Sequence, residues 1–215
     1  MTADTILLHH GVIPNQQMSR MLRVDHVWDA EQLAWRAQCD TYGQTSLPGL
    51  RIAGDAVAIA GANAAVANGT LAALGAARAL GRITDHELHE RSAAPLKSMR
   101  HHRSVRAFLD TLYRPPAYIT TPPDDVLVCR CEEVTAGHIR EMAALGCRGP
   151  NQTKFFSRCG MGPCQGRVCG TVVTQLLAEA TRAAPNDVGT YRVRGPLKPI
   201  PLSVLASLSS FNDIS

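Results

Sequence analysis

The first 82 residues combine two short β-prone runs with one long stretch of small residues. The β-prone runs cover residues 5–8 and 50–53, and glycine follows each of them closely. Residues 29–40 mix tryptophan and leucine with polar residues, which favours further strands ahead of Gly43. Beyond Gly61 alanine and glycine dominate, and this composition predicts a helix whose backbone can approach a sheet or a cofactor closely.

Charged residues and a capping signal predict helices over residues 84–113. Thr84 and Glu87 have the capping-box spacing that opens a helix, and Pro95 is expected to interrupt it. A basic helix is then predicted over residues 96–113, with its apolar residues collected on one side. These apolar residues are Met99, Val105, Phe108, Leu109 and Leu112.

A proline-rich stretch separates this region from a second helical one. Residues 114–125 contain four prolines, which favours an extended and stiff linker. Thr135 is then predicted to cap a helix that stops at Gly146, and a polar stretch leads from there to Arg158. The residues expected on the buried face of that helix are Ile139, Met142 and Leu145. A last helix is predicted from Gln165 onwards, where apolar residues recur at a helical period.

Composition and charge exclude several classes of function. The 215 residues are enough for one ordinary domain or two small ones. The net charge of +4 is spread along the sequence, without the basic stripe and interleaved aromatic residues of a nucleic-acid-binding surface. No apolar run approaches the roughly 20 residues of a membrane span, and the start of the chain lacks the pattern of a signal peptide. We therefore expect a protein of the reducing cytoplasm that binds no nucleic acid.

Five of the seven cysteines lie in two clusters. Cys129 and Cys131 form a CxC pair, and Cys159, Cys164 and Cys169 follow at equal intervals. Thiolates are soft ligands for iron–sulfur clusters, zinc or copper(I), and a [2Fe–2S] cluster takes four of them. Spacing alone does not choose between Cys159 with Cys164 and Cys164 with Cys169, because both pairs have the same separation.

Zinc and disulfides are the alternatives to an iron–sulfur cluster. Four cysteines also make a closed tetrahedral zinc site, but such sites commonly use CxxC pairs. An odd number of cysteines and a reducing compartment disfavour disulfides. Gly160, Gly162 and Gly166 permit sharp bends around Cys164, and a helix that follows would direct its N–H groups towards anionic ligands. The pattern therefore favours a cluster.

The segment around these cysteines resembles the BFD-like [2Fe–2S] domain, named for bacterioferritin-associated ferredoxin. The resemblance rests on Cys-Arg-Cys-Glu-Glu-Val-Thr at residues 129–135 and Gly-Met-Gly-Pro-Cys-Gln-Gly-Arg-Val-Cys at residues 160–169. It is greatest to the domain found in α subunits of opine and hydroxyproline dehydrogenases, in hydrogen cyanide synthase, and in the large subunit of anaerobic glycerol-3-phosphate dehydrogenase. By this resemblance the cluster ligands are Cys129, Cys131, Cys164 and Cys169, and Cys159 is the extra cysteine.

A second resemblance concerns Gly54 and Asp55, which lie between a predicted strand and the small-residue helix. A carboxylate at this place can accept hydrogen bonds from ribityl hydroxyls, and the helix N-terminus can receive pyrophosphate. The arrangement resembles the C-terminal FAD motif of pyridine-nucleotide–disulfide oxidoreductases, which implies that Gly54 and Asp55 contact FAD. A Gly-Asp turn that only caps a structural helix is the alternative.

The chain contains no GxGxxG loop, which an FAD or NAD fold of this kind needs after its first strand. We therefore expect only a partial FAD site. Either the sequence is a truncated or split gene product, or the missing part of the fold is a separate chain.

These observations predict an α/β segment of a two-dinucleotide-domain flavoprotein, followed by a small and mainly α-helical BFD-like domain. The expected divisions are the C-terminal part of an FAD/NAD(P)-binding domain at 1–82, a helical connector at 83–113, a proline-rich linker at 114–125, the [2Fe–2S]-binding domain at 126–184 and an extended tail at 185–215.

The resemblance implies an oxidoreductase component, an electron-transfer subunit or fragment that uses FAD and [2Fe–2S]. The substrate class would be an amine or amino-acid derivative such as an opine or hydroxyproline. The implied partners are other dehydrogenase subunits: a small ferredoxin-like subunit, together with an FAD-containing amine-oxidising subunit. No acid–base pair or activated nucleophile is visible, so we assign no catalytic residue. The alternatives are a stand-alone [2Fe–2S] carrier or iron-handling adaptor, and a zinc-stabilised interaction module.

Overall fold

Ten helices and two antiparallel hairpins are found in the computed structural model, which describes residues 3–7 and 11–207. In chain order the elements are α1 (Gln17–Met21), β1 (His26–Asp29), β2 (Ala34–Ala37), α2 (Ala62–Ala79), α3 (Asp85–Arg103), α4 (Arg106–Leu112), α5 (Ala117–Thr120), β3 (Leu127–Cys129), β4 (Val134–Thr135), α6 (Ala136–Ala144), α7 (Pro150–Ser157), α8 (Gly170–Thr181), α9 (Pro185–Val188) and α10 (Leu202–Ala206). None of these helices combines the length and the apolar character that a membrane crossing requires.

The first hairpin joins β1 to β2 and pairs Trp28 with Trp35. The two indole rings meet edge to face, with centroids 5.6 Å apart. Trp35 is buried, and the Arg20 guanidinium of α1 lies 5.1 Å from the centre of its ring. The strands predicted ahead of Gly43 are therefore confirmed, although the first of them begins earlier than expected, at His26.

His26 is held between two oxygen atoms at the start of β1. Its Nδ1 lies 2.6 Å from the Val24 carbonyl oxygen, and its Nε2 lies 2.9 Å from the Ser19 hydroxyl. Burial, with a further contribution from the Arg20 charge, lowers the pKa of His26 from 6.5 to about 4. The folded state therefore resists protonation of this ring.

We expect the free energy of unfolding to fall as the pH drops below 6.5, because the unfolded chain then binds a proton that folded His26 resists. Between pH 7.5 and pH 5 the loss should be about 1 kcal/mol after allowance for solvent screening. Urea denaturation of the wild type and of His26→Gln at both pH values measures it. His26→Gln should not show this decrease in the free energy of unfolding. The same pH dependence in both proteins would contradict the prediction.

Two predicted strands are absent from the described residues. Residues 5–7 are irregular, and residue 8 lies outside the part of the chain that is described. Residues 50–53 contain only an isolated bridge between Gln44 and Arg51, because no strand runs alongside them within the described ranges. The first part of the chain was expected to be an α/β segment. It contains an antiparallel hairpin and helices, and the residues described form no parallel sheet.

Helices α2 and α3 pack against each other along their length. The long helix predicted beyond Gly61 is confirmed as α2. The Thr84 side chain accepts a hydrogen bond from the Glu87 N–H, and the Glu87 carboxylate accepts one from the Thr84 N–H, so the capping box is confirmed. Pro95 lies inside α3 and does not end it, so the predicted interruption was wrong. Packing on α2 and a basic last turn outweigh the one backbone hydrogen bond that a proline removes.

The connector and the linker also differ from expectation. The single helix predicted over residues 96–113 is divided between α3 and α4. Its apolar side is only partly covered: Phe108 is 66% and Leu112 57% exposed, whereas Met99 and Leu109 are half-buried. The linker is not fully extended, because α5 forms within it and packs against α8. Thr120 and Pro122 are buried there, so the linker is part of the last domain's packing.

The last part of the chain builds its core from the β3–β4 hairpin, α6 and α8. Ile139, Val173, Leu176 and Leu177 are fully buried within it. The cap predicted at Thr135 is confirmed, since its side chain accepts a hydrogen bond from the third residue of α6. The core therefore lies directly behind the hairpin that carries the first two cysteines of the cluster motif.

Two local expectations for this part were wrong, and one stretch without a predicted element is a helix. Leu145 is 79% exposed, because the chain turns away after α6 at Gly146, whose φ of 101° is left-handed. The polar stretch leading to Arg158, for which no element was predicted, contains the helix α7. The last helix begins at Gly170, because Gln165, with φ 51°, lies in a left-handed turn.

Candidate metal centre

Cys129 and Cys131 are placed by the β3–β4 hairpin. Cys129 ends β3 and is buried, whereas Cys131 lies in the connecting turn and is exposed. Glu133 closes this turn in the left-handed region, with φ 52°. The turn thus sends one sulfur inward to the core and presents the other to solvent.

The second cysteine segment is a tight loop between α7 and α8. Four of its residues have positive φ, and they are Arg158, Gly160, Gln165 and Gly166. These left-handed steps fold the loop back on itself, so that Cys159 and Cys169 are buried while Cys164 is half-buried. Cys169 occupies the N-cap position of α8.

The structure brings three buried sulfurs together. The Sγ atoms of Cys129, Cys159 and Cys169 all lie within 4.8 Å of one another. Two of these residues belong to the predicted ligand set, and Cys159 does not. Three thiols in one buried place are an arrangement that metal coordination would stabilise.

Cys131 and Cys164 form a second, more accessible pair. Cys131 is exposed and Cys164 is half-buried, and the two thiols lie close enough for Cys131 to influence the ionisation of Cys164. Burial opposes ionisation of Cys164, but N–H groups of Val168, Gly166 and Arg167 point to its sulfur and, with the Cys131 thiol, lower the pKa of Cys164. Such donors stabilise a thiolate, the form that binds metal.

The surroundings of the three buried sulfurs also change how readily each thiol ionises. The Gly160 N–H donates to the Cys129 sulfur at 3.4 Å. A hydrogen bond with the Cys169 thiol lowers the pKa of Cys159 to about 7. The same hydrogen bond, together with burial, raises the pKa of Cys169. The negative charge of Cys164 acts on Cys169 as well, so the two groups of sulfurs lie within electrostatic reach of each other.

These residues fit a [2Fe–2S] cluster. All four predicted ligands lie in one region, Cys129 beside Cys169 and Cys131 beside Cys164. Backbone N–H groups already point at the sulfurs of Cys129 and Cys164, as is common around iron–sulfur clusters. Gly162 lies so close to Cys131 that a side chain there would clash, which keeps the two loops in contact.

Gly54 and Asp55, the predicted FAD contacts, lie apart from the cysteines in a 3₁₀ turn just before α2. The Gly54 N–H donates to the buried Asn68 side chain at 2.7 Å. Asp55 is exposed, and its carboxylate has no hydrogen-bond or ion-pair partner within the described part of the chain. The cavity beside Gly54 measures about 10 Å³, so a flavin could only lie on the outer surface of this turn.

Comparison with known proteins decides the relationship. Residues 125–208 match the family model described as the sarcosine oxidase A3 domain. The A subunit of opine oxidase from Rhizobium meliloti is 44% identical over 207 residues, which are 96% of this chain and 39% of that protein. Hydrogen cyanide synthase subunit HcnB of Pseudomonas aeruginosa is 32% identical over 209 residues, which are 97% of this chain and 44% of that protein.

The chain is a homologue of these subunits. The resemblance to opine-oxidising and hydrogen cyanide synthase subunits is therefore confirmed. The chain spans about two fifths of the length of these two relatives. Among solved structures, L-proline dehydrogenase from P. horikoshii matches 80% of this chain and 33% of its own chain, with a TM-score of 0.59 and 19% identity. That likeness establishes a shared fold.

Two further residues of the cysteine site are defined by the structure. By the resemblance Cys159 is the extra cysteine, and the structure places its sulfur among those of Cys129 and Cys169. Its spacing to Cys164, equal to that of the next pair, was a signal in its favour. Tyr191 is only 6% exposed and lies against the second cysteine loop. A single tyrosine in a proline-rich tail gives no signal in the sequence.

Proposed function

We propose that this chain is the electron-transfer part of a flavin- and iron–sulfur-dependent dehydrogenase. Its relatives are named as subunits of opine oxidase and hydrogen cyanide synthase, which supports an oxidoreductase component. The substrate class would be an amine or amino-acid derivative, such as an opine or hydroxyproline. The observation that carries the proposal is the convergence of cysteine sulfurs from two distant loops, with backbone N–H groups directed at them.

Cys129, Cys131, Cys164 and Cys169 would hold a [2Fe–2S] cluster. When bound, such a cluster accepts and passes on one electron at a time. The N–H groups at Cys129 and Cys164 would stabilise the negative charge of the ligands. Cys129 and Cys169 exclude water on the protein side, because both are buried in the core.

Cys131 and Cys164 would form the side from which a redox partner is reached. Cys131 is exposed. Met161 and Val168, which lie near Cys164 in the sequence, are exposed as well. An accessible edge of this kind suits electron exchange with other dehydrogenase subunits, namely a small ferredoxin-like subunit together with an FAD-containing amine-oxidising subunit. Gly54 and Asp55 would contribute a partial FAD site, and the unpartnered Asp55 carboxylate supports that role.

Purification of the full chain without exposure to air tests the proposal. We expect visible cluster absorption, about two iron atoms and two sulfides per chain, and little or no flavin. Flavin should be weak because the chain has no GxGxxG loop for the adenine half of FAD. Absorption, flavin fluorescence and metal analysis together give the answer. A colourless protein that holds one zinc ion, without sulfide, would contradict the proposal.

A further inference from the structure

The tail returns across the cysteine loop and places Tyr191 in a slot made by glycines. A side-chain carbon at Gly160 or Gly166 would lie 2.6 Å from the Tyr191 ring, and one at Gly170 would lie 3.3 Å from it. All three glycines belong to the loop that carries Cys159, Cys164 and Cys169, or directly follow it. Without their open space, the ring would have no room beside the sulfurs.

The Tyr191 hydroxyl is buried beside the sulfurs and poorly satisfied. It makes no hydrogen bond of good geometry to any described residue, although the side chain is only 6% exposed. Leaving such a group unpaired destabilises the fold, so the hydroxyl favours any acceptor within its reach. The hydroxyl lies against Gly160, the residue that directly follows Cys159, because a side-chain carbon at Gly160 would lie 3.0 Å from the hydroxyl oxygen. The phenol and the sulfur are thus adjacent, without being aligned for an ideal bond.

Cys159 stands between Tyr191 and the two buried ligands. Its sulfur lies within 4.8 Å of the sulfurs of Cys129 and Cys169, and both of these thiols help to lower the pKa of Cys159. If Cys129 and Cys169 bind iron, Cys159 is left as a thiol whose proton can be donated to either of their sulfurs. The Tyr191 hydroxyl interacts with Cys159, so its own proton can be directed to the Cys159 sulfur.

We propose that Tyr191 and Cys159 form a hydrogen-bond relay to the buried side of the cluster. The Tyr191 hydroxyl donates to the Cys159 sulfur, and the Cys159 thiol donates to the sulfur of Cys129 or Cys169. Both are positioning residues that bind no iron. Hydrogen bonds to cluster sulfurs stabilise the more negative reduced state, so the relay raises the reduction potential. This inference rests on the proposed function, because it requires a cluster at these cysteines.

The test compares the reduction potential of the full-length, cluster-loaded chain in four forms. These are the wild type, Tyr191→Phe, Cys159→Ala and the double variant. We expect each single variant to keep its cluster and to show a more negative potential. The double variant should shift no further than Cys159→Ala alone, because Tyr191 acts through Cys159. Tyr113→Phe, at a tyrosine that is 73% exposed, is the matched control and should leave the potential unchanged.

Each other outcome overturns the relay. An unchanged potential in Tyr191→Phe would reduce the ring to a packing role, and additive shifts would mean that Tyr191 acts without Cys159. Loss of the cluster in Cys159→Ala would make Cys159 a ligand. Electron paramagnetic resonance of the reduced protein checks that the cluster type is unchanged. A wild-type chain without iron would contradict the proposed function itself, whereas a loaded wild type with unshifted variants would contradict only the relay.

Discussion

Cys164→Ser is expected to abolish the visible absorption of the cluster and to reduce bound iron to background, whereas Cys159→Ser should largely spare both. The Cys164 sulfur receives N–H groups of Val168, Gly166 and Arg167, which stabilise it as a thiolate. A serine oxygen is a harder ligand and remains protonated, so it replaces a thiolate poorly at iron. Absorption spectra, with iron and sulfide per chain, measure the effect in protein purified without air.

Cys39→Ser is the matched control for this pair. Cys39 is a free cysteine in the first part of the chain, outside both cysteine loops, and its replacement should leave iron content unchanged. Circular dichroism of each variant separates loss of ligand from loss of fold. Equal loss of iron in Cys164→Ser and Cys159→Ser would overturn the choice of ligands, as would a Cys164→Ser protein with a full cluster.

The features that the sequence predicted well are stabilised by neighbours along the chain. The capping box needs only Thr84 and Glu87, and the cap of α6 needs only Thr135 and an N–H three residues later. The small-residue helix α2 follows from composition over 18 residues. The ligand positions came from a motif whose spacing is itself local, and whether all four bind iron stays a prediction.

The errors arise where distant contacts decide the outcome. Residues 50–53 have strand propensity but no strand beside them in the described structure, so only a bridge forms. Pro95 is tolerated because α2 packs along α3. Tyr191 reaches Gly160 and Gly166 from more than 20 residues away, a contact that no periodicity encodes. Local rules therefore place helix ends, whereas the surroundings of the sulfurs become visible only in three dimensions.

Gly162→Ala is expected to remove most of the bound iron, although the substituted residue binds none. A side-chain carbon at Gly162 would lie 2.2 Å from the Cβ atom of Cys131 and 3.2 Å from its sulfur. Cys131 has a short side chain in a tight hairpin turn, so its backbone must shift to relieve the clash. Cluster ligands tolerate little displacement, and the loop would therefore lose this thiolate. Iron per chain and visible absorption, measured beside circular dichroism, report the result.

Gly69→Ala separates this effect from the general consequences of adding a methyl group. Gly69 lies within α2, where a side-chain carbon would touch nothing within 4 Å, so alanine should keep full iron and slightly stabilise the helix. If Gly162→Ala kept its cluster, Cys131 could move without consequence for iron. In that case Cys131→Ser should also keep the cluster, and the fourth ligand would have to be Cys159, the one other cysteine whose sulfur lies with Cys129 and Cys169 in the described structure. The two glycine variants thus test the role of Cys131 without altering any thiol.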